Sequence, residues 1–245
     1  MSRIRTAAAL LVGAAALAAC TSTTQGTPVA DVGTTRPTAN DQTVTMPPPT
    51  TTSASSSCDY RSDGQEPARD VDMPSGTDAP KTVTLATDHG DIPMAMSADT
   101  PCTTASIAHL AKSGFYDDTP CHRLTKADSL SVLQCGDPSG TGTGGPGYTL
   151  PDENPTDLKP AGQGDYVVYP RGTVAMANTG APHSGGSQFF LVYADSVLPP
   201  TYAVFATVDD EGLAVLDKIT KAGVQGGGSD GAPATPVKIQ QAKAD

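Results

Sequence analysis

The sequence predicts a mainly β fold, a barrel or sandwich of short strands with two helices as lids. Short apolar or alternating runs recur between turn residues, only two segments show helical signals, and glycine-rich loops join the elements. Glycine and proline, 25 and 22 of the 245 residues, recur throughout the C-terminal two-thirds, which excludes a long-helix or coiled-coil protein.

The first predicted elements are a β-hairpin and a helix. Residues 83–87 alternate like a half-buried strand, residues 88–91 form a turn, and residues 92–96 return as a second strand. Thr100-Pro101 predicts a helix start, with Thr as the N-cap and Pro at the first helical position. Gly114 predicts the end of this helix.

Short apolar runs predict six further strands, and one helical segment lies among them. The strands are predicted at Cys121–Leu124, Val132–Cys135, Thr173–Ala177, Gln188–Val192, Ala203–Val208 and Val237–Gln240, and the second helix at about Gly212–Thr220.

Residues 1–19 predict a secretory signal, and Cys20 a lipid attachment point. Arg3 and Arg5 precede an uncharged, mostly apolar run that is too short to span a bilayer comfortably as a helix. The run ends Leu17-Ala18-Ala19-Cys20, which resembles the bacterial lipobox, where the cysteine is lipidated and becomes the mature N-terminus. A plain secretory signal that happens to end near a cysteine is the alternative. The prediction is a protein held by acyl chains on the extracytoplasmic face of the cell membrane.

Composition then divides the rest of the chain into a tether, an arm and a globular domain. Thr, Ser and Pro supply 22 of the 37 residues from 21 to 57, so the segment 20–57 is predicted to be a lipidated Cys followed by a disordered tether. Residues 58–80 remain polar but contain Cys58 and Tyr60, and we interpret them as an irregular arm lying on the domain. The domain itself is predicted over residues 81–245.

The charge of the chain excludes one class of partner. The formal net charge is −11, and lysine and arginine do not cluster anywhere in the sequence. Binding to nucleic-acid phosphates needs local positive charge, so nucleic acid is excluded. Other anionic polymers would be repelled as well.

Several motifs that suggest catalysis or cofactors lack the context that those functions require. Residues 140–145 match the dinucleotide fingerprint letter for letter, but no helical periodicity follows before Pro151, so a tight surface loop is predicted. Cys121 and His122 are neighbours on a predicted strand, and because neighbouring side chains point to opposite faces they cannot form a nucleophile–base pair. The four histidines show no metal-binding spacing, and CxxC and GxSxG motifs are absent. The sequence therefore predicts no metal and no cofactor.

Two groups of motifs match a known family in order and spacing. The first group is Gly114-Phe115-Tyr116-Asp117, Cys121-His122-Arg123-Leu124 and Gln134-Cys135-Gly136-Asp137-Pro138, and the second is residues 172–178 followed by residues 186–190. These blocks, with residues 142–145, 152–154 and 202–205, resemble the cyclophilin family of peptidyl-prolyl cis-trans isomerases over about residues 81–243. With the lipobox and the Thr-rich tether, the chain looks like an exported lipoprotein cyclophilin of actinobacterial type.

The resemblance implies a closed eight-stranded antiparallel barrel, capped by a helix at each end, with the active groove on the outside of one face. By motif, Arg123 matches the catalytic arginine and Gln134 its hydrogen-bonding neighbour. The implied substrate-binding residues are Ala177 and Asn178 along the peptide backbone, Gln188 as support of the groove, Phe190, Val132 and Leu198 around the proline ring, and Tyr202 where the family usually has His.

The implied activity is prolyl isomerisation that assists the folding of exported or envelope proteins, with their proline-containing segments as partners. Resonance places a barrier of about 18–20 kcal/mol on rotation about the peptide bond, and no bond is cleaved, so no nucleophile is needed. A guanidinium aimed at the imide nitrogen would stabilise the lone pair released in the twisted state. Because small barrels of this family are usually monomeric, a monomer is expected.

Two departures from the family pattern concern the proline pocket. Ten residues separate Arg123 from Gln134, more than the family usually has, so the hairpin that joins them is longer. Counting back from Gln134, the family's pocket Phe falls on Ser131, with Leu130 beside it as the alternative occupant of that place. A proline-peptide-binding chaperone module with little catalysis is therefore the alternative function, and a purely structural surface lipoprotein is a third.

Cys58, Cys102, Cys121 and Cys135 predict two disulfides, because export places an even number of cysteines in an oxidising compartment. Four cysteines allow three connectivities. In the barrel that the sequence resembles, the strands with Cys121 and Cys135 pair as a hairpin, which implies a bridge between them and leaves Cys58 with Cys102. Four free thiols are the alternative.

Overall fold

The computed structural model describes residues 58–245 except Gln163, and short strands supply most of their regular structure. The predicted signal at 1–19, Cys20 and the tether at 21–57 lie outside these residues. The strands are β1 (Arg61–Ser62), β2 (Thr82–Thr87), β3 (Gly90–Met96), β4 (Thr119–Pro120), β5 (Arg123–Thr125), β6 (Val132–Cys135), β7 (Tyr148–Thr149), β8 (Val167–Tyr169), β9 (Thr173–Met176), β10 (Phe189–Val192), β11 (Ser196–Leu198), β12 (Val204–Val208), β13 (Asp230–Gly231) and β14 (Lys238–Ala244). The helices are α1 (Pro101–Lys112) and α2 (Asp210–Thr220), with a 3₁₀ turn at Gln225–Gly227. Within this part of the chain, neither helix has the length and apolarity that a membrane crossing requires.

Ten strands form one antiparallel sheet in the order β13-β5-β6-β10-β9-β12-β3-β2-β14-β4. The eight central strands are the eight that the sequence predicts, so the mainly β fold with two helices is confirmed. No pairing among residues 58–245 joins β13 to β4, and the sheet is a curled, open half-barrel instead of the expected closed eight-stranded barrel. Closure would need hydrogen bonds between the two edges, but among the described residues the edge strands β13 and β4 pair only with β5 and β14. Two short pairs, β1 with β7 and β8 with β11, lie outside this sheet.

Aromatic side chains fill the interior between the sheet and the helices. Phe115, Tyr116, Phe189 and Phe205 are fully buried and meet edge to face, with ring centroids 5.5, 5.6 and 6.1 Å apart along the series. The helices add Ile107, Leu110, Leu216 and Ile219 to this core. Alternate residues of β6, β9 and β10 point the other way, into a second and smaller apolar cluster. The fold therefore has one large core and one apolar site on the opposite face of the sheet.

The N-terminal cap of α1 differs from the prediction. The Thr100 hydroxyl donates to the Val204 carbonyl at 3.2 Å and makes no cap hydrogen bond. The Glu153 carboxylate caps the helix instead, accepting the backbone N–H groups of Cys102 at 2.9 Å and Thr103 at 2.8 Å. A negative charge at this end is stabilised by the exposed N–H groups and the helix dipole, so a residue fifty positions away replaces the local cap.

Residues 58–80 lie against the domain as an arm that is fastened at several places, including the pairing of β1 with β7. Cys58 is bonded to Cys102, and the Tyr60 hydroxyl donates to the Cys102 carbonyl at 2.8 Å. Further along, Arg69 Nη1 donates to three carbonyl oxygens just after α1, at 2.5, 2.7 and 2.8 Å. The arm thus contacts α1 at both of its ends.

Cys121 and Cys135 form the second disulfide, so the two bridges have the connectivity that the resemblance implies. The register of β5 and β6 sets Arg123 opposite Gln134, and β5 begins at Arg123 instead of Cys121. Cys121 therefore lies past the end of the ladder and is not directly opposite Cys135, although the Cα atoms are 4.0 Å apart. The bridge closes the base of the hairpin that carries Arg123 and Gln134.

Candidate active site

A chain of hydrogen bonds links Arg123 to the middle of the sheet. β5 and β6 set Arg123 opposite Gln134, and β6 and β10 bring Gln188 next to them. Arg123 Nη1 donates to Gln134 Oε1 at 3.1 Å, and Gln134 Nε2 donates to Gln188 Oε1 at 3.0 Å. Gln188 Nε2 in turn donates to the carbonyl oxygens of Gly142 and Gly144 at 3.0 and 2.9 Å.

The direction of this chain is fixed at its far end. Because the Gln188 amide nitrogen is occupied by two carbonyl oxygens, its amide oxygen must face Gln134. That oxygen takes the Gln134 nitrogen and turns the Gln134 oxygen towards Arg123. Each amide therefore turns its oxygen towards Arg123, and the Gln134 oxygen holds the guanidinium as a neutral acceptor.

The glycine-rich loop that supports Gln188 is wrapped around the carboxylate of Asp137. This side chain is fully buried, and its oxygens accept the backbone N–H groups of Ser139 at 2.8 Å, Gly142 at 2.7 Å and Gly144 at 3.0 Å, with the Ser139 hydroxyl at 2.6 Å. A Cβ on Gly144 would lie 2.1 Å from Asp137 Oδ1, so only glycine allows this approach. Since the N–H groups of Gly142 and Gly144 already bind an anion of the protein itself, these two central donors of the fingerprint at residues 140–145 are occupied and not available to a pyrophosphate.

Opposing effects act on the ionisation of Asp137. Burial alone would raise the pKa of its carboxyl, but hydrogen bonds from Ser139, Gly144 and Gly142 outweigh burial and lower the pKa below its ordinary value. The group is therefore a carboxylate over the whole physiological range. Its role is to hold the loop in shape.

Asp230 completes the polar side of the site, and no motif in the sequence points to it. Its Oδ1 accepts from Arg123 Nε at 2.8 Å and its Oδ2 from Arg123 Nη2 at 2.7 Å, a two-point ion pair across 107 positions of sequence. The hydrogen bond and charge of Asp230 raise the pKa of Arg123, and those of Arg123 lower the pKa of Asp230. Only the antiparallel pairing of β13 with β5 brings these residues together.

The apolar side of the site is the second cluster on the outer face of the sheet. Its buried members are Val132, Tyr169, Ala175, Phe190 and Val192, and Leu130, Ala177, Leu198 and Tyr202 pack against them with part of their surface exposed. The rings of Phe190 and Tyr202 meet edge to face with centroids 5.4 Å apart. All the apolar residues that the resemblance assigns to proline binding are thus brought together here.

Tyr169 is a further member of the site that sequence reasoning missed, because β8 is only three residues long. Its hydroxyl donates towards the carbonyl oxygens of Pro199 and Tyr202, at 3.1 and 3.2 Å, and accepts the Tyr202 N–H at 3.2 Å. Burial raises the pKa of Tyr169 to about 12, so the phenol remains protonated. The residue fixes the backbone that carries Tyr202 and Leu198.

The two candidates for the wall of the apolar pocket take different roles. Leu130 packs against the cluster that contains Val132 and Phe190. The hydroxyl of Ser131 turns away and donates to the Ala127 carbonyl at 3.2 Å, so Ser131 closes the turn of the longer hairpin. Leu130 therefore adds an apolar side chain to this cluster, whereas the Ser131 hydroxyl is bound within the hairpin turn.

The edge of the groove is formed by Ala177 and Asn178. The Ala177 N–H donates to the Gln188 carbonyl at 2.9 Å, and the Asn178 side chain donates to the Thr201 carbonyl at 2.8 Å and accepts the Gly180 N–H at 2.9 Å. These contacts fix the edge on both sides. Among the described residues, no hydrogen bond uses the main-chain N–H or C=O of Asn178, and both remain available to an extended peptide.

Cys121 and His122 do not form a reactive pair. Cys121 is in a disulfide, and burial lowers the pKa of His122, with the neighbouring charge of Arg123 acting in the same direction. Among the described residues, no group of three His, Cys, Asp or Glu side chains is placed to hold a metal ion. The chemistry that the site offers is a fixed cation beside an apolar pocket and an edge with open main-chain groups at Asn178.

Comparison with protein families supports the family resemblance of the motifs over residues 82–244. This segment matches the family model described as cyclophilin type peptidyl-prolyl cis-trans isomerase/CLD. The chain is similar to the probable peptidyl-prolyl cis-trans isomerase B of Mycobacterium leprae, with 47% identity over 197 residues, covering 77% of this chain and 66% of the relative. The protein of the same description from Mycobacterium tuberculosis is 47% identical over 193 residues, covering 75% of this chain and 62% of the relative. The chain therefore spans somewhat less than two-thirds of the length of these relatives.

Among solved structures, the fold is similar to a cyclophilin type peptidyl-prolyl cis-trans isomerase of Cryptosporidium parvum. The TM-score is 0.55 with 27% identity, covering 68% of this chain and 98% of that one. The same parasite protein in the presence of the dipeptide Ala-Pro matches with a TM-score of 0.54.

Proposed function

The chain belongs to the cyclophilin-type peptidyl-prolyl cis-trans isomerases, and from this premise we propose that it accelerates rotation about X–Pro bonds in extended segments of exported proteins. The observation that carries the proposal is the position of Arg123, which is held by Gln134 and Asp230 beside the Phe190 pocket. No nucleophile or cofactor is required, because the reaction breaks only the resonance of one peptide bond.

The proposed mechanism depends on contacts that strengthen as the bond twists. The proline ring would lie on Phe190 and Leu198, and the main chain of the substrate on the free N–H and C=O of Asn178. In the twisted state the imide nitrogen regains its lone pair, and an N–H of Arg123 would stabilise it. Because Arg123 is fixed before substrate binds, little reorganisation is needed, and an acceleration of about 10⁵ would require about 7 kcal/mol of such differential binding.

Magnetisation-exchange NMR on a short X–Pro peptide tests the proposal directly. Addition of catalytic amounts of the protein should accelerate cis–trans exchange far above the uncatalysed rate, which takes tens of seconds or more. An unchanged exchange rate at peptide concentrations that bind the protein would contradict it. That result would favour the second candidate, a chaperone module that binds proline peptides without isomerising them, because neither Leu130 nor Ser131 supplies the aromatic side chain that the family usually has in this pocket.

The pocket wall provides a test of binding. We expect Leu130→Ala to weaken binding of a proline peptide several-fold. The substitution removes about two to three methylene-sized groups from the half-exposed wall of the pocket, and each such group is worth about 0.8 kcal/mol when fully buried. Ser131→Ala should bind as the wild type does, since its hydroxyl faces Ala127. Titration of a labelled peptide measures both. Weaker binding by the Ser131 variant with an unaffected Leu130 variant would reverse this assignment.

We further propose that the protein acts outside the cell membrane, held to its extracytoplasmic face by lipid on Cys20. The support is the basic start, the apolar run and the Leu17-Ala18-Ala19-Cys20 sequence. The two disulfides in the domain fit an oxidising compartment. In that place the clients would be exported or envelope proteins with exposed prolines.

The anchor has a simple test. Cys20→Ser is expected to move the protein from the membrane fraction to the soluble or secreted fraction, because serine lacks the thiol that carries the lipid anchor. Fractionation at high salt, followed by immunoblotting of wild type and variant, measures this. A variant that stays with the membranes would require a different anchor.

A further inference from the structure

We propose that Asp230 is a positioning residue of the isomerase reaction, which fixes the guanidinium of Arg123 in the orientation that catalysis needs. The inference rests on the function proposed above, since it assigns a role in that reaction to a residue outside the family motifs. Its basis is the two-point contact of the Asp230 carboxylate with Nε and Nη2 of Arg123, at 2.8 and 2.7 Å.

The backbone holds Asp230 at the place where this contact forms. β13 pairs with β5 so that Asp230 is opposite Thr125 and Gly231 is opposite Leu124. The Lys126 N–H donates to the Ser229 carbonyl at 2.7 Å, which secures the residue before Asp230 as well. The carboxylate is thus carried by a strand of the same sheet as Arg123 and not by a free loop.

Three N–H donors of the guanidinium hold Arg123 in place, and two remain for the substrate. Arginine has five N–H donors in a rigid plane, and Asp230 takes two of them while Gln134 takes a third, at 3.1 Å. One N–H on Nη1 and one on Nη2 remain for substrate. Contacts from Asp230 on one side and Gln134 on the other prevent rotation about the last bonds of a long and otherwise mobile side chain.

Such an ion pair should influence catalysis more than stability. The Arg123 and Asp230 side chains are 38% and 51% exposed, and pairs of this exposure add little to folding because solvent screens them. The orientation of Arg123 should matter more for catalysis, because a displacement of about 1 Å in a reacting group reduces turnover steeply. The expected signature of Asp230 is therefore a change in kcat with little change in peptide affinity or thermal midpoint.

The molecule contains a matched control. Arg171 and Asp217 form a second two-point pair, at 2.9 and 3.0 Å, with side chains 35% and 59% exposed. This pair joins α2 to the segment before β9 and contacts none of the groove residues described above. Asp217→Asn removes the same kind of ion pair without touching the proposed machinery.

The experiment compares the full-length wild type with Asp230→Asn, Asp230→Glu, Asp217→Asn, Arg123→Ala and the Arg123→Ala/Asp230→Asn double variant. Exchange at saturating peptide gives kcat, and titration of the same peptide gives Kd. We expect Asp230→Asn to lower kcat about five- to tenfold with Kd within about twofold, and Asp230→Glu to recover part of the loss. Asp217→Asn should match the wild type. In the Arg123→Ala background, Asp230→Asn should cause no further loss, because it acts through Arg123.

The Arg123 side chain supplies an independent readout. Its Nε–H signal in ¹⁵N NMR should be sharp and slow to exchange in the wild type and in Asp217→Asn, and broadened or lost in Asp230→Asn. Wild-type kcat in Asp230→Asn, or a further loss in the double variant, would overturn the positioning role while leaving the isomerase intact. A higher kcat in Asp230→Asn would also overturn it, since the carboxylate would then compete with substrate. Absence of catalysis by the wild type would instead refute the proposed function.

Discussion

Replacement of Arg123 by alanine is expected to lower kcat/KM for a proline peptide at least about tenfold while the thermal midpoint stays nearly unchanged. Arg123 is the one cation among the residues assigned to the groove. Within residues 58–245 as described, its side chain bonds only to Asp230 and Gln134, so two N–H donors are left for substrate. The side chain is also 38% exposed, so its removal leaves no buried cavity.

Two variants make this result specific. Arg171→Ala removes an arginine of similar exposure and similar pairing, and we expect it to leave kcat/KM unchanged. Arg123→Lys keeps the charge but loses the planar donors that meet Asp230 and Gln134, so its activity should fall between alanine and wild type. The exchange assay described above, with thermal unfolding in parallel, measures all of them. Equal activity of Arg123→Ala and wild type would refute the catalytic role of Arg123.

The strands of the fold could be predicted because each is a short apolar run and several of them bury one face. Val83 and Leu85 alternate with half-buried residues along β2, and Leu124 and Leu133 are buried where Arg123 and Gln134 face outwards. Period-two burial of this kind is visible in the sequence. The two-residue strands at the edges could not be predicted, since two residues show no period and their pairing depends on where α1 and α2 direct the chain.

The candidate site could be predicted only as far as its motifs extend. Arg123, Gln134 and Gln188 occupy three separate motifs, and the structure joins them in one hydrogen-bonded chain. Asp230 and Tyr169 lie outside any motif, in a glycine-rich segment and a three-residue strand. Their partners are 107 and about 30 residues away, so the sheet pairing and not the local sequence determines their roles.

The fingerprint at residues 140–145 shows how the same letters can serve a different purpose. In a nucleotide site, the glycines would leave N–H groups open to a phosphate at a helix N-terminus. Here the N–H groups of Gly142 and Gly144 are bound to Asp137, while the carbonyl oxygens of the same residues hold Gln188. The loop is therefore a structural support that connects the buried Asp137 carboxylate to the Gln188 side chain.

Asp137→Asn is accordingly expected to reduce the free energy of unfolding by about 2–4 kcal/mol, the second large effect that the structure predicts. The fully buried carboxylate accepts three backbone N–H groups, and an amide offers one acceptor oxygen while its NH₂ group would face the remaining donors. Urea unfolding at neutral pH measures the loss. The exposed Asp195, which accepts one N–H from Arg171 at 2.9 Å, is the control, and Asp195→Asn should cost about 0.5 kcal/mol or less.

The pH dependence of unfolding of the wild type and Asp137→Asn tests whether the ionised carboxylate causes this stabilisation. The native pKa of Asp137 lies below that of the unfolded chain, so its contribution is complete above the unfolded value near 3.9 and is lost as the pH falls through the native value. The difference in unfolding free energy between wild type and Asp137→Asn should therefore be constant from about pH 5 to 8 and should shrink below about pH 4. Since Gln188 depends on this loop, exchange activity of the variant should fall too, even where it is fully folded. A variant as stable as the wild type at neutral pH, or a difference that grows on acidification, would mean that the Asp137 carboxylate does not hold the loop.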